Sequence, residues 1–528
     1  MKKKLIAAAA LSAFLCIGIT VPAEAAKSVP VTLPTFDVTL NGTVVENNNR
    51  QYPLLVYNNI TYVPMTYYDC RFLGLETAWN QKDGLGIIKS DLTGAYYDYK
   101  TAKKNNKRGT AQIASGKIKV NGKEIHNASE KYPLLLYRDV TYFPLTWRFA
   151  VNEFGWKYQF DNKNGLVITS NNTQTEKIAV TDGRNINDEY TIFDFAIDDK
   201  NLYYQGVNGA IHSRPLSALQ SDVKRKTVAQ VPYENDYFEG YPAAQLYEEN
   251  GSVYYRYHSG GASMGGDYLY RIQENAEPQK LIVRTYDEYV NFDEFAIEIA
   301  GTRIGGRPPI AMTYIAKDGS RSELGPNGYL YAASADGYDE KRNSLYVSAR
   351  ESDPEINYYG TSYIYAIDLE NGSMTKLTEL DSGNYAVTED EVYFAYSYLL
   401  YMHDLETGED RLVSNESLDR NFNYAPIKTG VYFATQKDGQ RFCFWDKAAG
   451  KTAVLNPKGL ISELDGQNGY VIARFEETPD NPYRLMVFDA NGKQVYTSAD
   501  VADKAVINKN GVLVYRLAGT NQLVKVQL

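Results

Sequence analysis

The sequence predicts a mainly β protein, with two small α+β N-terminal modules followed by a large β-propeller of seven or eight blades. Two observations carry this. A 26-residue segment near the N-terminus occurs twice, and from about residue 175 short apolar strands recur at intervals of about 40 to 50 residues. Self-similarity at a fixed period marks a repeat architecture, and four strands per period make a propeller blade. The length of 528 residues also exceeds what one ordinary core accommodates.

Taken in order, Lys2, Lys3 and Lys4 precede an uncharged run from Leu5 to Val21, then Ala23-Glu24-Ala25. This predicts a secretory signal peptide over residues 1–25, cut at a small-x-small site, since the run is short for a bilayer span of about 20 residues. Its removal takes away three Lys and one Glu, moving the formal charge from −10 to −12. An acidic chain disfavours nucleic acid or an anionic membrane surface as partner. No later stretch is apolar enough to span a membrane after that cut. Cys70 and Cys443 then remain, far apart in the chain, and are expected to pack as small buried residues rather than as a disulfide framework.

The first module is placed at 34–91, and the second, with its linking strand region, at 92–172. Asn41–Thr66 aligns without gaps on Asn121–Thr146, with twelve of 26 positions identical, and after one inserted residue the match resumes at Gly74 and Gly155. Each copy reads as strands, a short helix begun by Pro64 or Pro144, and two further strands; Pro suits a first helical position. A unit of this size is marginal alone, so the two are expected to pack together. Between them lie Lys100, Lys103, Lys104, Lys107 and Arg108, read as a solvated basic face or as a clamp on anionic polymers. Asn171 to Lys177 is polar, lacks periodicity and is expected to be an exposed boundary.

Val-x-Val/Leu-Asn-Gly, Thr-x-Val/Phe-Pro, a helix ending in Gly and a terminal Gly-Leu-x-Ile together resemble the copper amine oxidase N-terminal-like domain. The resemblance covers roughly Val38 to Ser170. It implies a module often duplicated in secreted proteins of Gram-positive bacteria. Ile60, Val140, Thr66 and Thr146 stand where that family often carries Arg. Oxidase chemistry would need a quinone-forming Tyr in an Asn-Tyr-acid context and three copper-binding histidines. Here Asn357-Tyr358, Asn384-Tyr385 and Asn423-Tyr424 precede Tyr359, Ala386 and Ala425, and the four histidines include no His-x-His pair. The sequence therefore predicts neither copper nor amine oxidation.

The propeller is placed at 178–528. Strand cores occur at Leu202-Tyr203-Tyr204, Val253-Tyr254-Tyr255, Leu345-Tyr346-Val347, Val392-Tyr393-Phe394, Val431-Tyr432-Phe433, Tyr470-Val471-Ile472 and Val512-Leu513-Val514, with a weaker unit at Phe295–Leu324. The phrase Asp368-x-x-x-Gly372 returns as Asp404…Gly408, Asp446…Gly450 and Asp489…Gly492, a turn between two arms of a hairpin. If each core is the second strand of four, these turns join the third and fourth strands. Loops joining second to third strands, and one blade to the next, then share the opposite face. That face holds His258–Asp267, Glu351–Gly360, Glu476–Pro482 and two acidic, aromatic connections.

Long loops on a rigid scaffold are where binding concentrates. The candidate ligand-binding residues are accordingly Tyr233, Asp236, Tyr237, Glu239, Tyr241, Tyr286, Asp287 and Tyr289, rings beside carboxylates that suit a sugar. Calcium is a second candidate ligand, although no complete calcium loop is present; no other cofactor is expected. The expected role is a secreted, non-catalytic binding or scaffold protein, with cell-wall polysaccharide or an extracellular protein as partner. The alternative is a polysaccharide-cleaving propeller enzyme, whose carboxylates would come from different blades.

Overall fold

The structure is a computed structural model that describes residues 27–528, apart from 179, 181–193, 220–224, 236–238, 262–264, 284–287, 293, 300–311, 354–357, 438–439, 457–459, 477–482 and 521. The expected signal peptide lies outside the described residues. The chain divides into two compact units: Met1–Lys177 with Thr497–Asp500 and Val524–Leu528, and Ile178–Tyr496 with Val501–Leu523.

In the first unit the two sequence copies are interlaced. The hairpin Leu55–Tyr57/Ile60–Pro64 and its counterpart Leu135–Tyr137/Val140–Pro144 join Ser28–Thr32 and Arg108–Ile113 in one closed six-stranded barrel. Val29, Val31, Leu55, Tyr62, Leu135 and Tyr142 fill it. The last strand of each copy, Gly84–Lys89 or Gly165–Thr169, pairs in parallel with the first strand of the other copy. Leu85 N–H donates to Lys117 O and Leu166 N–H to Asp37 O, at 3.0 and 2.9 Å. The backbones approach so closely there that a Cβ on Gly84 or Gly165 would lie 2.1 Å from the same carbonyl oxygens, and both glycines have positive φ. Neither copy completes its own sheets, so the expectation of two packed but separate modules gives way to one shared core.

The helix entries also differ from expectation. Pro64 and Pro144 end barrel strands rather than starting helices. The first helix runs from Tyr67 to Phe72, capped by Thr66, whose hydroxyl oxygen accepts from Asp69 N–H at 3.1 Å. The second copy's extra residue is absorbed by π-type winding over Trp147–Glu153, with Phe154 N–H donating to Phe149 O. The expected boundary is not a loose linker. Asn172 is buried and donates to Thr93 Oγ1 at 2.7 Å, and Thr175–Ile178 forms a strand. A polar run reads as exposed in sequence, but a buried amide with a partner is equally stable.

From Thr175 to Gln527 the described residues form eight four-stranded sheets, a β-propeller-type arrangement. In chain order their inner strands are Phe195–Ile197, Gln245–Glu249, Glu288–Asn291, Tyr329–Asp339, Tyr385–Val387, Tyr424–Ile427, Ile461–Gln467 and Ala502–Ile507. Seven are simple four-strand meanders. In the eighth, Ala502–Ile507, Val512–Leu517 and Leu523–Gln527 are followed spatially by Thr175–Ile178. All seven strand cores read from the sequence are second strands, and Phe295–Ile299 is that of the weaker unit.

Tyr204, Tyr254, Tyr346, Tyr393, Tyr432 and Tyr515, each on a second strand, are at most 1% exposed. Much of the tyrosine content is therefore core packing between pleated surfaces. The Asp-x-x-x-Gly turns join third to fourth strands as expected. Gly372, Gly408 and Gly450 each donate N–H to the Asp carbonyl at 2.8 Å, and Asp404 Oδ1 accepts from Glu406 and Thr407 N–H.

Candidate binding site

The residues anticipated on the loop face separate on folding. Tyr233 is 45% exposed and meets Tyr241 edge-to-face at 5.1 Å. Glu239 is exposed. Its charge and hydrogen bond, after desolvation, hold the Tyr233 hydroxyl above its usual range. Tyr241 packs over the turn at Gly209, where a Cβ would come within 2.4 Å of its ring. Tyr289 is not on a loop: it lies in the strand Glu288–Asn291, half-buried, 6.3 Å from the Tyr254 ring. Asp236, Tyr237, Tyr286 and Asp287 lie outside the described residues. The structure thus joins Tyr233, Glu239 and Tyr241 and assigns Tyr289 to packing.

A larger feature arises beside the fourth sheet. Its first three strands have 11, 10 and 11 residues, against 4, 5 and 5 in the third sheet. One face packs Tyr331, Val347, Tyr365 and Ile367 on Ile297, Met312 and Leu324 of the third sheet. Cross-strand register puts Tyr329 opposite Glu351, Ala349 opposite Tyr363, and Tyr365 opposite Lys376, so these side chains share that face. Tyr329, Glu351, Tyr363, Tyr365 and Lys376 line a cleft of about 820 Å³.

Lys376 Nζ sits 4.0 Å over the Tyr363 ring, and Tyr329 meets Tyr365 edge-to-face at 5.9 Å. A hydrogen bond to Glu379, 3.1 Å away, raises Lys376 above the ordinary lysine range, so the cleft carries a firm cation. The exposed Glu351 carboxylate supplies acceptors. Part of this wall is the Tyr363–Leu377 hairpin itself, and its turn signature gave no sign of the cleft.

Carboxylates also converge from the inner strands. The register of the fourth sheet jumps from Ala333↔Val347 to Tyr338↔Leu345, leaving a four-residue bulge, 334–337, that carries Asp336. Bulges re-aim side chains out of a ladder. Desolvation by the surrounding strands and then the Asp465 charge push the Asp336 carboxyl up, although the residue itself keeps solvent-exposed surface. Asp465, on the seventh sheet's inner strand, is also raised by burial, against a 2.6 Å hydrogen bond from Gln467 Nε2.

Glu249, on the second sheet's inner strand, is raised to about 7 by burial, with further contributions from Glu248 and Asp336. The Asn291 N–H opposes this, donating to its carboxylate at 2.8 Å. Tyr385 donates its hydroxyl to Tyr346 O at 2.9 Å nearby. Acids near one another hold protons that isolated acids release, because a second negative charge is disfavoured. Glu249 and Asp465 lie toward the first-to-second strand turns, on the side opposite the loop face anticipated from sequence.

Among the described residues no group of three or more His, Cys, Asp or Glu could hold a metal ion. His258 and His403 pair with Asp267 and Asp410 at 2.6 and 2.8 Å. Cys70 and Cys443 are buried and unbridged, and burial pushes the Cys443 thiol up to about 11. No helix among the described residues is long and apolar enough to cross a membrane.

No family model matches the chain, and no curated protein matches it. Similar solved structures include an oligogalacturonate lyase in complex with manganese, at 11% identity and TM-score 0.36, covering 56% of this chain and 98% of that one. The computationally designed Ika8 protein is similar at 13% identity and TM-score 0.39, covering 63% and 95%. Dipeptidyl peptidase 4 of Porphyromonas gingivalis is similar at 10% identity and TM-score 0.41, covering 63% and 56%. Similarity at this level carries no argument about activity.

Proposed function

We propose that the chain is a secreted binding protein that performs no chemistry of its own and holds a hydroxyl-rich extracellular polymer, foremost cell-wall polysaccharide, along the cleft of the fourth sheet. The observation that carries this is the cleft's wall: the Tyr329, Tyr363 and Tyr365 rings flanked by Glu351 and Lys376. The apolar face of a sugar stacks on such rings while its hydroxyls bond to carboxylate and ammonium groups. In this reading the eight sheets are eight blades, the ring being closed by Thr175–Ile178 beside the C-terminal strand. The interlaced copies are read as copper-amine-oxidase-N-terminal-like modules serving as scaffold, without copper.

The raised pKa values of Glu249, Asp336 and Asp465 favour a second reading, a polysaccharide-cleaving enzyme, because a general acid must stay protonated near neutrality. Calorimetric titration with soluble glycans, paired with an assay for released reducing ends, separates the two. Binding that Tyr363→Ala abolishes, without reducing ends, supports the first reading. Release of reducing ends that Glu249→Gln abolishes would overturn it in favour of the second.

A further inference from the structure

The N-terminal unit presents a second surface, independent of the cleft. Tyr67, Tyr68 and Tyr97 are 47%, 42% and 50% exposed, although rings of this size normally enter a core. They support one another: Tyr68 stacks on Tyr97 at 4.6 Å and 25°, and Tyr97 meets Tyr99 edge-to-face at 4.7 Å. Tyr52 extends the cluster, 5.1 Å from Tyr99.

The chain leaving Tyr99 is the basic segment. It is pinned beside Asn47–Asn49, because Thr101 N–H donates to Asn49 O and Asn105 N–H to Asn48 O, both at 2.7 Å. Lys100, Lys103, Lys104 and Lys107 are exposed, and among the described residues none of them has an ion-pair partner. Of the neighbouring acids, Asp98 is paired with Lys177 at 3.0 Å, and Glu46 is exposed. In a chain of net charge −10, a run of exposed lysines that follows the exposed rings along a pinned backbone is a local reversal of charge.

We propose that this surface binds an acidic polysaccharide, its sugar faces stacking on Tyr68 and Tyr97 and its anionic groups meeting Lys103, Lys104 and Lys107. Rings alone would accept a neutral glycan, and lysines alone would accept any polyanion. Their adjacency selects a polymer that has both flat apolar faces and regular negative charge.

The test titrates the full secreted chain with polygalacturonate, with dextran supplying sugar rings without charge and polyaspartate supplying charge without rings. Polygalacturonate should bind tighter than either, and more weakly as salt rises, since exposed charges are screened over about 8 Å at physiological ionic strength. Tyr97→Ala should weaken polygalacturonate about tenfold and leave polyaspartate unchanged. The triple variant Lys103→Ala, Lys104→Ala, Lys107→Ala should weaken both. An unchanged melting temperature certifies folding, and Tyr97→Phe, which keeps the ring, should bind as wild type. No polygalacturonate binding, equal binding of polyaspartate, or loss in Tyr363→Ala but not in Tyr97→Ala overturns the proposal.

Discussion

Glu249→Gln should make the protein more stable, but only at the alkaline end of its range. The Glu249 carboxyl is half-buried and raised from 4.5 to about 7. A carboxyl raised in this way binds its proton more tightly folded than unfolded. Its contribution to stability is therefore complete below pH 4.5 and is lost as the pH rises to about 7. That difference corresponds to about 3 kcal/mol for Glu249 alone. Asp336 and Asp465 are raised too and act with the same sign.

Glutamine removes the charge while keeping an oxygen for the Asn291 N–H. Urea unfolding of wild type and variant at pH 5 and pH 8 measures the effect. Near pH 5 the two should unfold at nearly the same urea concentration. At pH 8 the variant should be more stable by about 3 kcal/mol. A variant that gains nothing between pH 5 and pH 8, or is less stable at pH 8, would show that water solvates this carboxylate fully and would refute the coupling of these acids.

Three further outcomes test the fold. Arg50 and Asp69 form an ion pair in which each side chain is 1% exposed, so Arg50→Met should cost about 3–5 kcal/mol by stranding the carboxylate. Adding Asp69→Leu should recover much of that loss, and the pair of unfolding curves shows whether it does. The Tyr393 hydroxyl is buried without a hydrogen-bond partner among the described residues, so Tyr393→Phe should be nearly neutral, whereas Tyr393→Ala should cost about 3–5 kcal/mol in a melting experiment. Gly165→Ala should unfold the N-terminal unit far more readily than Gly122→Ala. Both glycines have positive φ, but a Cβ at Gly122 meets nothing within 4 Å; equal melting temperatures would rule out the close inter-copy pairing.

The order of residues along the chain carries its local grammar. The duplication, the second-strand cores and the Asp-x-x-x-Gly turns were legible because each depends on neighbouring residues: β-branched and aromatic runs, an Asp that bonds its own backbone, a Gly at the turn's end. Tertiary structure decided the rest, because it depends on which distant residues meet. Gly84 and Gly165 align as equivalents in sequence, but only folding reveals that each admits the other copy's backbone, since main-chain pairing leaves almost no side-chain signal.

Asp336 sits in a bulge that no composition marks, and Glu249 and Asp465 approach it from strands about 87 and 129 residues away in the chain. Length and acidity single out the loops in sequence, whereas the converging acids stand singly on inner strands. Tyr289, expected on a loop, packs in a strand, whereas Tyr363, also in a strand, forms cleft wall. A tyrosine's role depends on which neighbouring sheet covers it, and that is a property of the fold's geometry rather than of the chain's order.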